Sequence, residues 1–121
     1  MKIALLGSSR YDFSRVYTEK VVKRLQEYGE LSPLSNLNDL KKNKEFFKDC
    51  QVAFSTWGMP TFTEEEIKSS FPSLKAVFYG AGTVQAFARP FLNCGIKVFS
   101  AWAANAVPVA EYTVAQIILA N

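Results

Sequence analysis

The sequence predicts a single α/β domain: a five-stranded parallel sheet with helices on both faces. Short apolar runs alternate with stretches of helical periodicity along the whole chain, and no linker, repeat or low-complexity tract interrupts them. With 121 residues, 49% hydrophobic and 21% charged, the chain can bury one real core but not two. Consecutive parallel strands need a crossover between them, and a right-handed helix supplies it, which places helices on both sides of the sheet.

Lys2 to Leu6 is a short apolar run of buried-strand type. Ser14 to Tyr28 carries Val16, Val21, Val22, Leu25 and Tyr28 at the spacings of one helical face, and Gly29 is expected to close that helix. Glu30 to Leu34 forms a second strand, which Pro33 assigns to a sheet edge because proline cannot donate to a central ladder. Leu37 to Lys48 reads as one polar, lysine-rich helix with Leu40, Phe46 and Phe47 on one side. Gln51 to Ser55 is a third strand. Thr63 to Ser69 is a short helix opened by a Thr-x-x-Glu capping box, Thr63 with Glu66. Leu74 to Phe78 is a fourth strand, Gln85 to Leu92 a helical turn, Ile96 to Phe99 a fifth strand, and a last helix starts at about Val107.

Charge and cysteine content exclude several classes of function. The net charge is +3 and the pI about 8.9, but the basic residues are scattered and interleaved with acids, as where Lys68 follows Glu64-Glu65-Glu66, so no basic stripe marks a nucleic-acid partner. Cys50 and Cys94 lie 44 positions apart with no histidine to join them at a metal, which reads as free thiols in a reducing compartment. Ile3 to Leu6 is too short for a secretory core, and Gly7-Ser8-Ser9-Arg10 follows at once. The uncharged stretch from Ala101 to Ala110 contains Asn105 and Pro108, so no membrane span is expected and the cytoplasm is the expected location.

In a parallel sheet of this kind, ligands sit beyond the carboxyl ends of the strands. That rule directs attention to Gly7–Arg10, Ser55–Pro60, Tyr79–Val84 and Ser100–Asn105. The loop Gly80-Ala81-Gly82-Thr83 leaves several backbone N–H groups uncovered by side chains, a concave anion site suited to a carboxylate, or else simply a turn after the fourth strand. It is no dinucleotide fingerprint, because Gln85 stands at the third glycine position. Gly7-Ser8-Ser9-Arg10 either grips a phosphate or is a polar exit turn. Trp57 either walls a pocket for a small organic substrate or caps the core. Asn105 serves as a helix cap, a ligand contact, or both.

From Leu74 onward the chain resembles the amino-terminal, substrate-binding domain of the D-isomer-specific 2-hydroxyacid dehydrogenases. The resemblance rests on Leu74-Lys75-Ala76-Val77, Gly80-Ala81-Gly82-Thr83-Val84, Gly95-Ile96-Lys97-Val98 and, most specifically, Asn105-Ala106-Val107-Pro108-Val109-Ala110-Glu111. It covers about the last 48 positions, and the earlier alternation fits the same flavodoxin-like three-layer sandwich. It implies a substrate carboxylate held by amides of Gly82 and Thr83 with Ala81 adjacent, Asn105 approaching the substrate, and Trp57 and Gly58 shaping the pocket. It further implies residues 1–106 as the substrate-binding domain and 107–121 as the start of an interdomain helix, truncated before an NAD-binding domain. The parent would be a homodimeric, NAD- or NADP-dependent enzyme interconverting 2-oxo acids and D-2-hydroxy acids. Family catalysis uses a histidine general acid, its acidic partner and an arginine, all from the cofactor domain. This chain has no histidine and is expected to be inactive and to bind no cofactor alone. The glycines are shifted by one from the frequent Ala-Gly-x-Gly loop. The alternative from a different class is a free-standing flavodoxin-like binding or signalling module.

Overall fold

The computed structural model describes residues 1–120 and contains one five-stranded parallel sheet in the order β2-β1-β3-β4-β5. The strands are β1 (Lys2–Leu6), β2 (Glu30–Ser35), β3 (Cys50–Ser55), β4 (Ala76–Tyr79) and β5 (Lys97–Ser100). This is the flavodoxin-like order, whose winding reverses between β1 and β3. All five predicted strands are present, and β2, the strand with Pro33, lies at an edge as its missing N–H requires.

Alternation along each strand sorts side chains into two cores, one per face. Ala4 and Leu6 of β1, Ala53 of β3 and Val77 of β4 join Leu40, Phe47, Phe62, Ile67, Phe71 and Phe91 in the larger core. Those partners come from the helices α3 (Leu37–Lys42), α4 (Lys44–Lys48), α5 (Glu64–Ser70) and α6 (Ala88–Asn93) and from the loops beside them. On the other face, Ile3 and Leu5 pack with Phe13 and Tyr17, partly covered by Val16, Val22 and Leu25 of α1 (Arg10–Val16) and α2 (Glu19–Gln26). Toward β5 that second face lies open. Phe54, Phe78 and Phe99 stack across β3, β4 and β5 with centroids 5.1 and 5.0 Å apart, and Phe99 is 47% exposed.

Helix boundaries depart from the sequence expectation in five places, the smallest being α6, which begins at Ala88 rather than Gln85. The helix expected over Ser14–Tyr28 is two helices, broken where Tyr17 leaves helical geometry to send its hydroxyl to the Ser55 carbonyl at 2.9 Å. The helix expected over Leu37–Lys48 breaks at Asn43, and Asn36 opens α3 with a capping box completed by Asp39. Gly29 closes no helix: α2 ends at Gln26 with Glu27 as its cap, and a Cβ on Gly29 would stand 2.0 Å from the Met1 carbonyl oxygen, so this glycine serves a close backbone approach. The last helix, α7, begins at Trp102 rather than about Val107 and runs to Ala120 with Pro108 inside it. Asn105 donates its N–H to Ala101 at 2.9 Å and so sits within the first turn rather than capping it. The Thr63–Glu66 capping box of α5 forms as expected.

Helix α7 has no buried residue. It is 19 residues long, and by length and composition alone it is long and apolar enough to cross a membrane, which the sequence reading did not anticipate. Glu111 falls near its middle.

Candidate functional site

The loops at the carboxyl ends of β1, β3 and β4 and the start of α7 converge on one edge, pinned to each other through the backbone. Gly7 and Ser8 spend their N–H groups on the carbonyls of Ser35 and Gly58, at 3.0 and 3.1 Å. Gly80 donates to Ser55 at 2.8 Å and Ala101 to Tyr79 at 3.0 Å. The side chain of Ser9 caps α1 by accepting from Asp12 N–H at 3.2 Å. Two of the four amides of the Gly7–Arg10 turn and the Ser9 hydroxyl are therefore spent on holding neighbouring segments.

The β4 loop differs. Past Gly80, the N–H groups of Ala81, Gly82, Thr83 and Val84 donate to no acceptor among the described residues, whereas the loop's carbonyls are held from below. The Ser100 hydroxyl reaches both the Ala81 carbonyl, at 3.1 Å, and the Gly82 carbonyl. Fixing the Ala81 and Gly82 carbonyls toward Ser100 points the N–H groups of the same two peptides, those of Gly82 and Thr83, the other way, as in loops that bind anions through their backbone. Asn105 lies against this loop: a Cβ on Gly82 would stand 3.2 Å from its side-chain nitrogen. A group bound by the Gly82 and Thr83 amides would thus meet a side-chain amide on the α7 side. Ala81 is fully buried, Gly82 half-buried and Thr83 exposed, so access improves along the loop.

Trp57 and Gly58 occupy the neighbouring β3 loop. Gly58 has φ +82° at the third position of a turn closed by Met59 N–H on the Thr56 carbonyl at 3.1 Å, a type II arrangement that requires φ above zero there. A Cβ on it would lie 2.6 Å from Ser8 Oγ. Trp57 is 43% exposed, and the Arg15 guanidinium sits 5.8 Å from its ring centre. Gly82 pairs with Asn105, and Gly58 with Ser8; no hydrogen bond or ring contact links the two pairs among the described residues.

Three participants carry no role in the sequence reading: Ser100 and Thr56 lie in segments that the strand-end rule selects but are given no function there, and Tyr17 lies outside those segments. Ser100, which holds the loop carbonyls, is an ordinary strand-end serine. Tyr17 lies under the loop, its hydroxyl 3.1 Å from where a Gly80 Cβ would be. Burial pushes Tyr17 up to about 12, opposed by the backbone of Gly80 and Ser55, so it remains a phenol that donates. Thr56, just past β3, is 1% exposed and its hydroxyl has no partner among the described residues. Cys50 is also raised to about 12, chiefly by burial, and is no nucleophile at neutral pH.

No group of three or more histidine, cysteine, aspartate or glutamate residues among the described residues is placed to hold a metal. Gly80 itself serves close packing: its amide is taken by Ser55, and a Cβ on it would stand 2.7 Å from Val16 Cγ1 and 3.1 Å from the Tyr17 hydroxyl.

No protein-family model and no curated protein sequence matches the chain. Solved structures do. The NAD-dependent formate dehydrogenase from Staphylococcus aureus, solved in complex with NAD, superposes over 97% of this chain with TM-score 0.65 at 22% identity. The apo D-lactate dehydrogenase from Escherichia coli superposes over 98% with TM-score 0.60 at 19% identity. The chain spans 37% of the length of each. At these identities the likeness is one of fold, and the chain has the flavodoxin-like α/β fold that forms part of both dehydrogenases.

Proposed function

We propose that this chain is the substrate-binding part of an NAD(P)-dependent oxidoreductase that interconverts 2-oxo acids and D-2-hydroxy acids. The supporting observation is the run of unengaged amides from Ala81 to Val84 beside Asn105, at the end of β4. In this reading the amides of Gly82 and Thr83 hold the acid's carboxylate, and the side-chain amide of Asn105 meets the oxygen on the neighbouring carbon. Two or three N–H bonds to a carboxylate are charge-assisted and fix its plane, which orients the adjacent carbon without a buried cation. Trp57 and Gly58 wall the far side, with the Arg15 cation over the indole.

The nicotinamide cofactor supplies the hydride when bound. Its binding elements, and the histidine, acid and arginine of the chemistry, lie outside these residues, since the chain has no histidine and no dinucleotide turn. These 121 residues alone bind the acid weakly and turn nothing over. Residues 1–106 form the substrate domain and 107–121 begin the connection to a cofactor domain, in a parent that is a cytoplasmic homodimer. Glu111 near the centre of α7 would cost about 3 kcal/mol in a bilayer, which favours a protein cover for that helix over a membrane.

Titration of the labelled chain with pyruvate, followed by amide proton–nitrogen correlation spectra, tests the reading. Shifts concentrated at Gly82, Thr83 and the Asn105 side chain, with a roughly millimolar dissociation constant, are expected. A spectrum in which those signals stay still while pyruvate reaches saturating excess would overturn it.

A further inference from the structure

A second site lies between α1 and α2. Residues 10, 13, 14 and 17 of the α1 segment and 19, 22, 23 and 26 of α2 all line one groove of about 430 Å³. Each set has the spacing i, i+3, i+4, i+7, so each helix turns one whole face to it. The break at Tyr17–Thr18 is what separates the two faces, because an uninterrupted helix could not present both to the same space. The floor is Leu5 of β1 and Leu34 of β2, and Phe13 and Val22 form the apolar walls. This volume lies within the range of small-molecule sites, about 300–1,000 Å³.

The rim carries the signal about the occupant. Arg10 and Lys23 border the groove, and neither makes an ion pair among the described residues. Glu19 is the single acid on the rim, and although it lies four residues before Lys23 the two are not paired. Two unpaired cations against one acid above an apolar floor favour a ligand with an anionic head and an apolar body. Helix α2 has 8 residues and is about 12 Å long at 1.5 Å per residue, the reach of a medium-chain tail.

We propose that the groove between α1 and α2 binds a medium-chain carboxylate, its tail on Leu5, Phe13, Val22 and Leu34 and its head toward Arg10 and Lys23. The site is distinct from the one assigned above: the two meet only at Tyr17, which lines the groove and places its hydroxyl under Gly80, and none of the residues assigned to the tail or the head belongs to the first site. Its failure and the failure of the 2-oxo acid reading are therefore seen at different signals.

The test is a titration of the full labelled chain with decanoate, decylamine and decanol below their micelle concentrations. Decanoate is expected to move the amides of Leu5, Phe13, Val22 and Leu34 and to bind at least tenfold more tightly than decylamine. Replacing both cations, Arg10→Ala with Lys23→Ala, is expected to erase that preference and leave decanol binding unchanged; both residues are exposed, so the fold should tolerate it. Val22→Trp fills the groove and is expected to abolish binding of all three. Equal binding of decanoate and decylamine, shifts confined to α7 and Phe99, or no shift at the groove residues would each overturn the proposal.

Discussion

At the scale of single residues, the two glycines nearest the candidate site do different work, and substitution separates them. Gly82 has no positive φ, so Gly82→Ala carries no torsional cost; its Cβ would press on Asn105 at 3.2 Å. We expect stability to change by less than about 1 kcal/mol, while pyruvate-dependent shifts at Thr83 weaken several-fold in the same titration. Gly58→Ala meets both obstacles at once, a φ of +82° and Ser8 Oγ at 2.6 Å. Its unfolding free energy in urea should fall by about 2 kcal/mol or more. Pairing it with Ser8→Ala in a double-mutant cycle should recover the steric part and leave the torsional part of about 1–2 kcal/mol. Full additivity of the two substitutions would contradict the contact. Ser100→Ala removes the hydroxyl that fixes the Ala81 and Gly82 carbonyls. Acid binding should be lost for about 1 kcal/mol of stability, the ordinary worth of such a bond.

At the scale of elements, what the sequence reveals is set by whether the cause is local. Strands are legible because burial on both faces demands unbroken apolar runs such as Ile3-Ala4-Leu5-Leu6, and the Thr63–Glu66 box is legible because both partners lie within one turn. The break at Tyr17 is not, since Val16, Val21 and Val22 keep helical spacing across it and its cause is a carbonyl 38 positions away. The start of α7 is hidden for a related reason: Pro108 reads as a first-turn residue, yet Ala103, Ala104 and Ala106 favour helix strongly enough to extend it back to Trp102. For the candidate site, the strand-end rule locates the loops. It cannot say that Asn105 meets Gly82 or that Ser8 meets Gly58, because those pairings are made by the fold. Gly95 shows a local cause in full. With φ +77°, it lets its own N–H reach Leu92 at 2.9 Å and that of Ile96 reach Phe91 at 3.0 Å, the paired bonds that end α6. No described residue lies within 4 Å of a Cβ there, so Gly95→Ala should cost only the torsional 1–2 kcal/mol, roughly, read from denaturant midpoints.

At the scale of the whole molecule, two properties follow from what is buried and what is not. Tyr17 and Cys50 have folded-state values of about 12, above their ordinary 10.0 and 9.0, so between those limits the folded chain holds protons that the unfolded chain releases. Stability is therefore complete below pH 9 and falls as pH rises from 9 to 12. Tyr17→Phe should flatten the upper part of that fall, and an unchanged slope in urea midpoints would show that its burial does not matter to folding. Exposure acts through α7. Val109 and Val114 are 57% and 56% exposed, Ile118 67%, and the Phe54–Phe78–Phe99 ladder is open on the same chain. Apolar surface of this extent drives association in water, because each area removed on contact lowers the free energy by about 25 cal/mol per Å². The chain is expected to sediment as a concentration-dependent oligomer and to become monomeric when Val114→Lys and Ile118→Lys place cations on the helix. Those positions touch no core residue, so the melting temperature of the folded sheet should stay where it is, and a wild-type chain that sediments as a monomer at high concentration would show that this surface is tolerated in water.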